Sequence, residues 1–103
     1  MTNTFIVATD NMSWEDENEF VSFLKDKKCG WWHWIENFWI IESDNDSITP
    51  KVIIDKLQKI NPNVKKIALK VKDPIPWAGY GPETNSAKMF DWLKKKSNNV
   101  KEF

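Results

Sequence analysis

A chain of 103 residues can bury one hydrophobic core but not two. Its 15 basic and 15 acidic residues cancel, and every basic residue is lysine. No net field therefore draws it to nucleic acid or membrane, and the absent guanidinium fork weighs against sequence-specific base readout. A single cysteine excludes an internal disulfide and a cysteine-based zinc site.

The remaining totals are milder. Seven tryptophans and six phenylalanines give bulk to a composition that is 41% apolar. No apolar run reaches membrane-spanning length, and the opening residues show no basic-then-apolar signal segment, so the expected compartment is the cytoplasm.

The first apolar run, "TFIVATD" from Thr4 to Asp10, predicts a buried central strand. A helix follows, with Ser13 as N-cap and Glu15, Asp16 and Glu17 in the first turn, where the positive end of the helix dipole favours carboxylates. Phe20, Phe23 and Leu24 share one face, joined by the stem of Lys27, and Gly30 suits the helix stop. The acidic cluster is explained by helix-start chemistry.

"CGWWHWIENFWII" then reads as a hairpin, Trp31–Ile35 and Phe38–Glu42 around Glu36-Asn37, or around a wider four-residue loop with the same register. That register puts Trp32, Trp34, Trp39 and Ile41 on one face. Trp31, His33, Ile35, Phe38, Ile40 and Glu42 fall on the other. Both faces are apolar, so both require cover.

Thr49 caps the next helix, Pro50 occupies its first position, Ile53, Leu57 and Ile60 form its stripe, and Asn61-Pro62 ends it. "KKIALKVKD" alternates as a strand, with Ile67, Leu69 and Val71 expected inward and Lys66, Ala68, Lys70 and Lys72 outward as an edge guard. A Pro/Gly-rich connector, "PIPWAGYGP", leads to a final helix opened by Asn85 or Ser86. That helix carries Met89, Phe90, Trp92 and Leu93, with Lys94, Lys95 and Lys96 at its end, and "SNNVKEF" reads as a frayed tail.

With right-handed crossovers, this order predicts an α+β, ferredoxin-like βαββαβ sandwich: a four-stranded antiparallel sheet with two helices on one face, plus a C-terminal helix. One domain is expected over residues 1–96. The second sheet face would show more apolar surface than a monomer usually does, so it should be covered by the C-terminal segment, a second copy, or both.

"FIVATD", the Trp31-Trp32-His33 run with the later Trp39, "WAGYG" and Asp91-Trp92-Leu93-Lys94 resemble small bacterial SinR-like proteins. These are similar to the CRISPR-associated ferredoxin-like subunit of spacer acquisition. The resemblance spans roughly residues 4–96 and implies a ferredoxin-like homodimer. It also implies a metal-dependent nuclease reading, in which Asp10, after the first strand, would hold Mg²⁺ or Mn²⁺. The arginine-bearing basic surface of a nucleic-acid scaffold is missing, and "WEDENEF" is acidic where that family is often basic.

Three functional expectations result. The first is a dimeric interaction module without cofactor, its interface on Trp31, His33, Ile35, Phe38 and Ile40. The second is the nuclease centred on Asp10. In the third, Trp77 and Tyr80 on the connector stack a nucleotide or single strand. His33 stands alone without a second histidine, and Cys29 lies near a helix end without a redox motif.

Overall fold

A computed structural model describes residues 2–72, 75–78 and 91–93. The chain divides into two units, Met1–Val71 and Lys72–Phe103, so the second begins inside the span 1–96 read as one domain. The first unit holds β1 (Asn3–Thr9), α1 (Trp14–Asp26), β2 (Gly30–Ile35), β3 (Phe38–Ser43), α2 (Pro50–Ile60) and β4 (Lys66–Val71). The strands form one antiparallel sheet in the order β2-β3-β1-β4, the ferredoxin-like arrangement expected. In the second unit Asp91–Leu93 are helical. The start of that helix and the tail after residue 96 lie outside the described residues.

Both helices pack on the same side of the sheet. Phe20 and Leu24 of α1 and Ile53 and Leu57 of α2 meet Phe5, Val7, Trp39 and Ile41 in one buried cluster. Trp39 is its largest member, fully buried, with the Phe20 ring edge-on at 5.0 Å. An aromatic of this size removes about 150–250 Å² from water, on the order of 4–6 kcal/mol before entropy is subtracted.

Local chemistry fixes the helix ends. The Ser13 hydroxyl accepts from the Asp16 amide, and Thr49 accepts from Val52, each satisfying an orphan donor of its helix. The stop of α1 differs from expectation. Lys28, not Gly30, takes the left-handed conformation, at φ 58°. Its amide donates to the Lys25 carbonyl, and the Cys29 amide donates to Leu24 at 2.9 Å, which is a Schellman closure. Gly30 already belongs to β2, opposite Glu42, whose side chain would crowd any added Cβ.

Asn61 joins three elements at the end of α2. Its side-chain amide donates to Asp16 of α1, its side-chain oxygen accepts from Asn63, and its carbonyl accepts from the Lys66 ammonium of β4. Asp16 therefore does more than favour a helix start.

Candidate functional site

The hairpin turn confirms Glu36-Asn37, with Asn37 at φ 68°, and Ile35 pairs with Phe38 as expected. The register then shifts between Trp32 and Ile35, so that Trp32 faces Ile40 and Trp31 faces Ile41. This irregularity overturns the expected face assignment for three residues. Trp31 and His33 point to the helix side, while Trp32 joins Phe38 and Ile40 on the far side, its ring edge-on to Phe38 at 6.2 Å. A one-residue slip exchanges faces because side chains alternate with period two.

His33 is consequently a packed residue between α1 and the sheet. Its ring stacks on Trp39 with centroids 3.6 Å apart and planes 3° from parallel. Nδ1 lies 2.8 Å from the Phe38 carbonyl oxygen and Nε2 3.1 Å from a Glu17 carboxylate oxygen. A carbonyl only accepts, so Nδ1 carries a proton. Nε2, on the opposite side of the ring, faces the Glu17 carboxylate. This arrangement clamps the start of α1 to the hairpin, and Glu17 is the member that helix-start reasoning passed over.

Cys29 is buried in the same core. Burial pushes its thiol above the ordinary value, while the Ser43 side chain and the Lys27 charge pull less strongly the other way. A thiol held protonated in this way is a poor nucleophile.

Asp10 occupies the far end of β1 and is exposed. Its amide donates to the Lys65 carbonyl, and its carboxylate accepts from the Lys65 amide at 3.0 Å, closing the β1–β4 pairing. The adjacent depression, about 300 Å³, is lined by Ala8, Thr9, Asp10, Lys65, Lys66 and Ile67. Its lining brings no second acidic side chain beside the Asp10 carboxylate. Among the described residues no three His, Cys, Asp or Glu side chains gather as metal ligands.

The face away from the helices carries the most unusual geometry. Its register pairs run across all four strands as two apolar rows. One is Trp32–Ile40–Ile6–Leu69, and the other is Ile35–Phe38–Ala8–Ile67. The second row includes Ile35 and Ile67 at 52% and 54% exposure, and the first ends on Leu69 at 50%. The presence of β4's apolar residues here reverses their expected direction. Val7 pairs with Ala68 and Phe5 with Lys70, so the alanine and the lysine stems lie toward the helices. The Lys66 ammonium is held there by Gln58 and the Asn61 carbonyl. Small Ala68 leaves room for the core beside it, and lysine stems cover apolar surface while their charges reach polar partners.

Of the remaining sequence-predicted residues, Trp77 is half-buried in the second unit and Tyr80 lies outside the described residues. The structure thus places Ile35, Phe38 and Ile40 together and separates Trp31, His33 and Asp10 from them. Among the described residues no helix is long and apolar enough to cross a membrane. No protein family, curated protein or solved structure matches the chain.

Proposed function

We propose that this protein is a non-enzymatic interaction module that associates with a second copy through the sheet face opposite its helices. The observation that carries the reading is the pair of apolar rows across four strands. Three of their four ends, Ile35, Ile67 and Leu69, are half-exposed, while the fourth, Trp32, is already buried. Burying such residues removes apolar surface from water, and contiguous patches of this kind mark contact sites. The two rows themselves carry no charged side chain, and the carboxylate next to them on the β2–β3 side, Glu42, lies over Gly30. His33, Cys29 and Asp10 each have a structural assignment, which leaves no catalytic group at the patch.

Sedimentation equilibrium at micromolar concentration is expected to show a dimer for the wild type and a monomer for Ile35→Glu. Ile35 is exposed, so this substitution should leave the far-ultraviolet circular dichroism unchanged. A wild-type monomer, or an unaltered dimer in Ile35→Glu, overturns the reading.

A further inference from the structure

The β4 edge makes a second kind of surface. The Asp10 amide to Lys65 carbonyl bond sets the antiparallel alternation on that side of β1. Ile67, Leu69 and Val71 then spend their backbone groups on β1, and Lys66, Ala68 and Lys70 point theirs away from the sheet. The opposite side of β1 agrees, because the Thr9 amide donates to Asn37, assigning the odd residues to β3. Among the described strands β4 has one neighbour, so these outward groups form a ladder ready for another strand.

We infer that the β4 edge accepts an extended partner segment in which acidic side chains alternate with apolar ones. The side-chain pattern selects that chemistry. On the far face, an added strand would continue both apolar rows beside Ile67 and Leu69, which are half exposed. On the helix side it would lie beside Lys66 and exposed Lys70. Opposite charges directly across strands stabilise a pair and like charges destabilise it.

A second copy fits this edge poorly. Antiparallel pairing of two β4 strands centred on Ala68 sets Lys66 of each copy opposite Lys70 of the other. Centring on Leu69 makes the two Lys70 side chains diagonal neighbours. Lysines that merely guard an edge would explain the repulsion, but they leave the outward ladder of Lys66, Ala68 and Lys70 without a strand among the described ones. A single-stranded RNA would satisfy the lysines and leave the backbone ladder and the apolar row unused. This inference concerns the edge rather than the face and stands without self-association.

The test uses the isotope-labelled full chain and two capped octapeptides, one alternating Glu with Val and the other Lys with Val, with oligouridine as a third ligand. The Glu peptide is expected to shift the amide resonances of Lys66, Ala68 and Lys70 and to slow their hydrogen exchange. The Lys peptide should do neither. Exposed Lys70→Glu should weaken the Glu peptide by about fivefold and strengthen the Lys peptide. Equal response to both peptides, shifts lying elsewhere, or binding of oligouridine alone overturns the proposal. Ile35→Glu separates the two readings, since it should abolish self-association and leave peptide binding intact.

Discussion

The two outer strands of the sheet are held by opposite means. β2 is anchored from beneath by aromatic packing: Trp31 leans on the core and His33 stacks on Trp39. β4 is anchored at its start by polar contacts, Asp10 to Lys65 just before the strand and Lys66, its first residue, to Gln58 and Asn61 over the helix. The aromatic edge tolerates an irregular register because large rings fill the space on either side of it. The polar edge keeps strict alternation and leaves its apolar side chains outside. Burial thus fixes where β2 lies, and hydrogen bonding fixes which way β4 faces.

The largest test removes the aromatic anchor. Trp39→Ala is expected to cost about 3–5 kcal/mol in urea unfolding, the usual range for a fully buried aromatic. A loss under about 1 kcal/mol would mean that the core closes around the gap and that β2 is held by something else.

His33→Ala probes the same edge one layer up. It removes a stacked ring and two hydrogen bonds, leaving Glu17 largely enclosed and without its partner, at an expected cost of about 1–2 kcal/mol. A double-mutant cycle with Glu17→Gln isolates the contact between them. Zero coupling would reduce the clamp to packing of the ring alone.

These residues also show where sequence reasoning succeeded and where it stopped. Strand and helix identities, the Ser13 and Thr49 caps and the Glu36-Asn37 turn were legible because each rests on local chemistry. The faces of Trp31, Trp32 and His33 were not. "WWHWI" has large rings on both sides, so period two carries no contrast and cannot reveal a slip. β4 alternates with clear contrast, broken only by Ala68, and its larger apolar side chains nonetheless face away from the helices. Alternation tells which residues share a face, but the pairing with β1 decides which face meets the helices. Of the candidate site, Ile35, Phe38 and Ile40 were found because they sit at or beyond the turn, clear of the irregularity. Ile67 and Leu69 were missed because their apolarity argued for burial.

On the polar edge, Asp10→Ala should cost about 1 kcal/mol, since the Lys65 amide loses its carboxylate acceptor to solvent. Hydrogen exchange should quicken at Lys65 and the first residues of β4 while β2 stays unchanged. Equal quickening in both strands would erase the distinction drawn between the edges.

Lys28→Gly has the opposite sign. Lys28 holds φ 58°, which glycine adopts without a Cβ penalty, so the variant should gain about 0.5–1 kcal/mol in urea unfolding. A loss instead would show that the lysine side chain contributes at the start of β2 more than its backbone costs.

The smallest effect is a pH dependence at the same junction. Burial raises the Cys29 thiol above its ordinary 9.0. The folded chain therefore retains this proton at pH values where the unfolded chain has released it. The thiol's contribution to stability is complete below 9.0 and is lost as the pH rises through the higher folded value. Urea midpoints measured from neutral pH upward, against Cys29→Ala as the baseline for lysine titration, should diverge only above 9.0. The native thiol should also react more slowly with a disulfide reagent than the urea-unfolded thiol does, because both access and thiolate population are reduced. Equal rates would place Cys29 outside the core and leave β2 anchored by its rings alone.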